Sequence, residues 1–248
     1  MAMRSVMKQG LLAVAATCVV SLLSACQSAP AQVGSTETER TDEAERERTY
    51  AFVFIRTGPL REPTEAQSRE AMQGHFANMQ RLAAEETLLI AGPLAEPKSD
   101  PSHRGIFVFD ADTAEKGLAI ANGDPAAQMG VFVMEPYTLA TDAPLTELPR
   151  LEREYEQRRL ADPDVPDEWV GRLYVMATTP YSKPLHEQLD SATGVLVCAR
   201  LLGADGSDRL LLWLDAASPR AAAALLPDGR WTYHGWYGSP TIAELAGL

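Results

Sequence analysis

The sequence predicts an α+β protein made of two βαββαβ units that pack sheet to sheet within one chain. Segments rich in aromatic and β-branched residues alternate with helical patterns in the same order twice, about 120 residues apart. The strands are apolar at consecutive positions, as in Phe52–Ile55 and Leu210–Trp213. This pattern indicates that both faces of each sheet are buried, so each sheet covers the other. Two independent sheet–helix domains are the alternative.

Composition limits the classes of function. The 248 residues are 46% hydrophobic and carry a formal net charge of −12, which is typical of a globular protein that can bury a core. A nucleic-acid binder needs a basic face, and charge-driven adhesion to anionic lipid needs one too, so both are excluded. Only three cysteines are present, which excludes a scaffold stapled by disulfides.

The N-terminus reads as a secretory signal. Arg4 and Lys8 precede a short apolar run over 11–25, and the run ends on small residues before Cys26. The end of this segment resembles the lipobox of bacterial lipoproteins, which implies that residues 1–25 are removed and that Cys26 is lipidated. An ordinary signal peptide is the alternative. Because Gln27 follows the cysteine, the resemblance further implies an outer-membrane location facing the periplasm.

A polar, acidic stretch over 26–49 follows the signal and contains almost no large apolar residue. Such a stretch cannot offset the entropy that ordering would cost. We predict a disordered tether between the lipid and the first strand.

The first unit is predicted over 50–141. Its long helix carries an apolar stripe at spacings of four, three and three residues (Met72, Phe76, Met79 and Leu82). Gly92-Pro93 closes the second strand, and Asp112 is the expected cap of the second helix. The predicted order is a strand over 50–57, a helix over 63–86, strands over 87–91 and 105–109, a helix over 113–121 and a strand over 131–134.

The second unit is predicted over 169–248, after a linker over 142–168 that contains a charged helix at 145–160. It repeats the order with strands over 172–180, 194–203, 209–216 and 230–237, and with short helices over 185–189 and 219–226. Asp205-Gly206 signals a hairpin turn between two of these strands. Each unit therefore has the split βαβ, or ferredoxin-like, arrangement.

The first unit resembles the YciI family, also called YCII-related domains, over about 50–139. The resemblance rests on His75 in the first helix, Gly92-Pro93 after the second strand, Gly105 opening the third, Asp124-Pro125 before the fourth and the closing Glu135-Pro136-Tyr137. It implies the dimeric α/β barrel fold, here formed within one chain. It also implies that His75 and Asp124 act as an acid–base pair on a small aromatic or lactone-like molecule, by elimination or isomerisation.

The chemistry of this pair is reasonable, because histidine titrates near neutral pH and a carboxylate can fix its tautomer. The alternative is that His75 is a half-buried helix histidine without a catalytic role and that Asp124 only makes a turn. The chain departs from the family where Ala126 replaces the large aromatic residue that usually follows Asp-Pro. In the second unit His186 and Asp228 do not reproduce the spacing of the pair, so this unit is interpreted as a degenerate partner.

Further candidates complete the predicted site. We assign Arg56 to substrate binding, as a partner for an anionic group, with a place at the sheet edge as the alternative. Gly92 and Pro93 are assigned to substrate binding as well. His103 is predicted to lie on the surface and His234 to lie in the core.

Other chemistries lack support. Cys198, in an apolar run, reads as a small buried hydrophobe. Four scattered histidines give no metal-binding spacing, and no cofactor-binding motif is found. The sequence therefore predicts neither a metal nor a cofactor.

Two hypotheses of different classes follow. The first is a lipid-anchored small-molecule enzyme, lyase-like or isomerase-like, that uses His75 and Asp124. The second is a non-catalytic envelope lipoprotein that binds a ligand or other envelope components. In both, the mature protein is expected to be a monomer with pseudo-dimeric halves.

Overall fold

The structure is a computed structural model that describes residues 47–96, 98, 100–162 and 170–247. The predicted signal segment, Cys26 and most of the predicted tether lie outside the described residues. The last residues assigned to the tether, Arg48 and Thr49, already belong to the first strand.

The first half contains strands and helices in the predicted order. The capping box of Thr64 and Gln67 begins its long helix, with the Thr64 hydroxyl accepting from the Gln67 amide. The second helix is capped by Thr113 rather than by the predicted Asp112. The elements are β1 (Arg48–Thr57), α1 (Glu65–Ala84), β2 (Leu88–Ala95), β3 (His103–Phe109), α2 (Ala114–Ala121), α3 (Pro125–Gln128) and β4 (Phe132–Thr141).

A 3-10 turn (Leu145–Glu147) and helix α4 (Leu148–Ala161) connect the halves. The second half then repeats the order with shorter helices, and it ends in a 3-10 helix (Pro240–Gly247). Its elements are β5 (Arg172–Pro180), α5 (Lys183–Leu189), β6 (Val195–Leu202), β7 (Arg209–Leu214), α6 (Pro219–Ala223) and β8 (Thr232–Gly238).

The eight strands form one closed barrel in the order β1-β3-β2-β8-β5-β7-β6-β4. All neighbours are antiparallel. The halves meet at two seams, β2 with β8 and β4 with β6. The expected α+β class is confirmed. The expected packing of sheet on sheet differs in one respect: the edges of the two sheets also hydrogen-bond, which leaves no strand edge open.

Three apolar clusters explain why the strands are apolar at consecutive positions. The largest fills the barrel and includes Phe52, Phe54 and Trp213. A second lies between the outer face of the first sheet and helices α1 and α2. A third lies outside the second sheet, against α5 and α6. Because side chains alternate between the faces of a strand, a strand buried on both faces needs apolar residues throughout.

One end of the barrel is covered by α4 and the C-terminal 3-10 helix, whose Leu148, Leu151 and Ile242 join the barrel core. Arg48, at the start of β1, donates to the Thr146 hydroxyl at this end. The far end of β1 therefore leads to the opposite, open mouth of the barrel. Among the described residues, the helices are all too short or too polar to cross a membrane.

Candidate active site

His75 lies on α1, on the side that faces the first sheet, and only 7% of its surface is exposed. The ring has aromatic neighbours on three sides. Its centroid is 5.2 Å from that of Phe132 in an edge-on contact, 5.7 Å from Phe107 and 5.6 Å from Phe76. These contacts fix the plane of the imidazole, so its nitrogens point in defined directions.

Asp124 is fully buried and reaches His75 from the loop that follows α2. It is the N-cap of α3, in which Pro125 occupies the first turn, and its Oδ1 accepts from the Ala126 amide at 2.9 Å. Its Oδ2 lies 2.9 Å from His75 Nδ1 and accepts from Asn78 Nδ2 at 3.2 Å. The structure thus brings together the two residues that the sequence analysis paired.

The balance of forces at Asp124 favours the carboxylate. Burial acts to raise its pKa, but the hydrogen bond and charge of His75 act against it, with hydrogen bonds from Asn78 and the Ala126 amide. The net effect is a lowered pKa. A carboxylate can only accept, so the neutral His75 carries its proton on Nδ1 and a lone pair on Nε2.

A cavity of about 500 Å³ opens beside the His75 ring, between α1 and the sheet. Its wall is mostly apolar, and its few polar side chains include Arg61, Ser68 and Arg104. Arg104 donates from Nε to the Thr57 hydroxyl at 2.9 Å, which holds it at the wall. The apolar part of the wall includes Ile55, Leu60, Met72, Phe76, Met79, Val131 and Phe132.

The missing aromatic residue after Asp-Pro is compensated by other elements. Ala126, a residue of α3, is fully buried and does not line the cavity. Phe76 of α1, Phe107 of β3 and Phe132 of β4 line it instead. The departure from the family pattern therefore leaves the cavity aromatic.

Gly92 and Pro93 also line this cavity, where the sequence analysis placed them. Gly92 has a packing role as well, because a Cβ there would lie 2.3 Å from the Tyr237 carbonyl oxygen and 2.6 Å from Trp236 Nε1. The glycine therefore permits the close approach of β2 and β8 at the seam. Contrary to expectation, Gly92-Pro93 does not end β2, which continues to Ala95.

Arg56 does not lie in the His75 cavity, so the predicted grouping of Arg56 with His75 is wrong. Arg56 points to the other face of β1 and lines a cavity at the open end of the barrel, named here the barrel-mouth cavity. It pairs there with Asp100 at 3.0 Å and with Glu135 at 2.8 Å, and its Nε donates to the Ser102 hydroxyl. The physical reason is the two-residue period of a strand.

His103 lines the barrel-mouth cavity too, which contradicts its predicted surface position. It opens β3, is 8% exposed and stacks on Phe54 with the ring centroids 4.6 Å apart. His234 is buried, as predicted, with its centroid 5.7 Å from that of His103. The residues before Arg104 have the composition of a loop, so the sequence did not indicate that His103 begins a strand and is buried.

The second half holds a different cluster. His186 lies 4.0 Å from Asp190, while Asp228 is exposed. Ligand atoms of His186, Asp190 and Cys198 lie within 4.8 Å of one another, so they could each offer a metal one ligand. Burial, followed by the charges of Asp190 and Asp142, raises the pKa of the Cys198 thiol to about 12. Spacing could not predict this trio, because only the packing of α5 on β6 assembles it. Cys198 is buried, as predicted.

The fold and the dyad define an α+β barrel protein with a histidine–aspartate pair at a small-molecule cavity. Residues 52–139 match the family model of the YCII-related domain, which confirms the resemblance over this part of the chain. The crystal structure of a "putative monooxygenase" from Lactobacillus acidophilus NCFM is similar, with 10% identity and a TM-score of 0.39 over 77% of this chain and 94% of that one. A likeness at this level carries no functional argument. No curated protein matches the chain.

Proposed function

We propose that this protein is a small-molecule enzyme of the lyase or isomerase kind, in which His75 transfers a proton. The observation that carries the proposal is the 2.9 Å contact between a fully buried Asp124 and Nδ1 of His75, whose ring lines a mostly apolar cavity. Buried carboxylate–imidazole pairs with a cavity at the second nitrogen are a common arrangement for general acid–base catalysis.

The residues suit a redox-neutral reaction. His75 Nε2 takes a proton from an acidic C–H or O–H group of the substrate, and the imidazolium that forms is stabilised by the Asp124 carboxylate. The proton then returns to another atom of the same molecule, which isomerises it, or to a leaving group, which completes an elimination. Neither outcome requires an oxidant or a cofactor.

The cavity favours a compact and largely apolar substrate. Its volume of about 500 Å³ and its wall of aliphatic and aromatic side chains suit an aromatic or lactone-like molecule. Arg104 and Arg61 supply positive charge at the same wall and can orient a carbonyl or carboxylate group.

The test is a thermal-shift screen of small phenols, aromatic acids and lactones against the parent protein and His75→Gln. The expected result is a ligand that raises the melting temperature of the parent but not of the variant. His186→Gln is the matched control, a helix histidine of the second half that lies outside the cavity, and it should respond like the parent. Hits are then assayed for turnover, which His75→Gln should abolish.

Equal responses of the parent and His75→Gln across the whole screen would overturn the enzyme proposal. The non-catalytic envelope protein would then be the better interpretation.

We also propose that residues 1–25 are a signal peptide and that lipid on Cys26 anchors the protein to the outer membrane, facing the periplasm. The basic start, the apolar run and the small residues before Cys26 support this. Cys26→Ser should release the protein from the membrane fraction, and a membrane-bound Cys26→Ser variant would contradict the lipid anchor.

We further propose that the halves, over 50–141 and 169–248, are two copies of one ferredoxin-like unit joined by the linker over 142–168. The strand order β4-β1-β3-β2 of the first half and the order β6-β7-β5-β8 of the second support this. Each seam joins the second strand of one half to the fourth of the other, as a two-fold axis would require. The chain would then carry both subunits of a dimeric α/β barrel.

A further inference from the structure

The barrel-mouth cavity has a volume of about 830 Å³ and is built by both halves of the chain. The first half contributes Phe54, Arg56 and Glu135, and the second contributes Arg209 and His234. It shares no lining residue with the His75 cavity. Neighbouring residues of β1 face opposite ways: Ile55 lines the His75 cavity, whereas Phe54 and Arg56 line the barrel mouth.

Each acidic side chain that lines the barrel-mouth cavity already has a cationic partner. Arg56 pairs with both Asp100 and Glu135, and Arg200 donates from Nε to Asp208 at 3.0 Å. Arg56 and Arg200 carry two positive charges against these three carboxylates, so the group retains one negative charge, but the ion pairs of all three acids are made with Arg56 and Arg200.

Arg209 lies at the start of β7, and none of these three acids forms an ion pair with it. Its guanidinium lies over the Tyr137 ring, 5.7 Å from the centroid, and within the described part of the chain no carboxylate forms an ion pair with it. Arg209 is half-buried, so its charge is poorly screened by water. Arg230, which is exposed and forms no ion pair with any of the described residues, adds a second cation to the wall.

The two histidines of the cavity add hydrogen-bonding groups but little charge. Burial lowers the pKa of His103, and burial together with the charges of His103 and Arg209 lowers the pKa of His234 to about 4. Both rings are therefore neutral at pH 7. The cavity thus presents one half-buried guanidinium, that of Arg209, which forms no ion pair among the described residues and lies near neutral imidazoles and an aromatic ring.

We infer that the barrel-mouth cavity binds a small organic monocarboxylate, which Arg209 holds. A planar guanidinium matches a carboxylate in two parallel hydrogen bonds. One half-buried guanidinium suits a monoanion, because the second charge of a dianion would face the carboxylates of Asp100, Glu135 and Asp208. The stacked rings of Phe54 and His103 give a flat wall for the organic part of the ligand.

Isothermal titration calorimetry of the purified protein with benzoate and hexanoate tests this inference. Benzoate or hexanoate should bind, benzamide should bind at least tenfold more weakly than benzoate, and isophthalate should also bind more weakly than benzoate. Arg209→Gln should weaken carboxylate binding at least tenfold, since it removes a charge-assisted pair. Arg209→Lys keeps the charge and should retain part of the affinity.

Two controls separate this site from others. Arg220→Gln removes an exposed arginine of α6 that lies outside the cavity, and His75→Gln alters the other cavity. Both should bind hexanoate, which is not an aromatic acid, like the parent. The inference is overturned if neither carboxylate binds, or if benzamide or isophthalate binds as tightly as benzoate. It is also overturned if a folded Arg209→Gln keeps full affinity, or if only His75→Gln loses binding. The last result would place the ligand at His75 and leave the proposed enzyme function standing.

Discussion

Asp124 determines the protonation geometry of His75 because both of its oxygens are occupied. Oδ1 accepts from the Ala126 amide, and Oδ2 accepts from Asn78 and from His75 Nδ1. Because a carboxylate can only accept a hydrogen bond, neutral His75 must carry its hydrogen on Nδ1. The Nε2 lone pair of neutral His75, whose ring lines the cavity, is thus a consequence of how α3 is capped.

Asp124→Asn should therefore reverse the tautomer of His75. With Oδ1 still accepting from the Ala126 amide, the new NH₂ group faces Nδ1 and donates to it, so the ring proton moves to Nε2. Nitrogen NMR shifts of the His75 ring would detect the exchange. We expect a loss of stability of about 1–3 kcal/mol, because Asn78 loses its acceptor, together with loss of proton transfer. An unchanged His75 spectrum in the folded variant would contradict this assignment.

His234 should make folding sensitive to acid. The pKa of His234 falls from the ordinary 6.5 to about 4 in the folded protein, first because the ring is buried and then because His103, once protonated, and Arg209 repel a positive charge on it. Between these values the unfolded state binds more protons, so the free energy of unfolding falls as the pH falls. The expected loss is about 2 kcal/mol between pH 6.5 and pH 5.

Urea unfolding of the parent and of His234→Gln, at pH values from 7 to 5, measures this contribution. The variant should lose less stability than the parent over the same interval, since glutamine does not titrate. Parallel pH profiles would show that His234 does not carry the effect.

The sequence predicted which residues belong to the candidate site better than it predicted which way their side chains point. His75 and Asp124 were paired from a family pattern, and the structure places them in contact. Arg56 was grouped with them, yet it points into the barrel mouth. A shift of one residue reverses the face of a strand, and a strand that is apolar throughout gives no signal for which face is which.

At the level of elements, the dyad depends on the close packing of α1 against α3. Gly74 precedes His75 in α1, and Pro125 follows Asp124 in the chain. The two neighbours are in contact, because a Cβ on Gly74 would lie 2.7 Å from the Pro125 Cβ. No side chain larger than hydrogen fits there without moving one element. The glycine thus sets the distance between the helix that carries the histidine and the turn that carries the aspartate.

Gly74→Ala should separate the dyad while the barrel stays folded. The expected result is a lengthened His75–Asp124 contact, seen as a changed His75 NMR spectrum, with activity reduced at least tenfold and stability lowered by about 1–3 kcal/mol. Gly117→Ala is the control, because its Cβ would lie 2.2 Å from the Ala51 Cβ, where α2 meets β1. The control should lose stability without changing the His75 spectrum.

The extents of β2 and β4 show why element boundaries were harder to predict than their order. The sequence analysis ended these strands at residues 91 and 134, but they continue to Ala95 and Thr141. The added residues include those that pair with the other half, Leu94 and Ala95 with β8 and residues 138–140 with β6. Pairing between segments so far apart in sequence leaves no local pattern, and Pro93 and Pro136 give the opposite signal.

At the scale of the whole molecule, strand patterning predicted the double burial of the strands, whereas only the family resemblance implied a barrel. Consecutive apolar positions required a cover on each face, and the barrel interior and the outer helices supply those covers. The charged helix of the linker was expected only to connect the halves. Its apolar residues Leu148 and Leu151 also close one end of the barrel, because a barrel end needs a cover that neither sheet provides.

Closure of the barrel leads to a prediction about assembly. In a dimer of single units, the second chain would supply the inner face and the edge strands that the first chain lacks. Here β6 and β8 of the same chain pair with β4 and β2, so no edge is left for another copy. The form over 27–248 should therefore be a monomer, with a mass by light scattering that does not change with concentration. A stable homodimer would mean that halves are exchanged between chains, and the two seams would then lie between molecules.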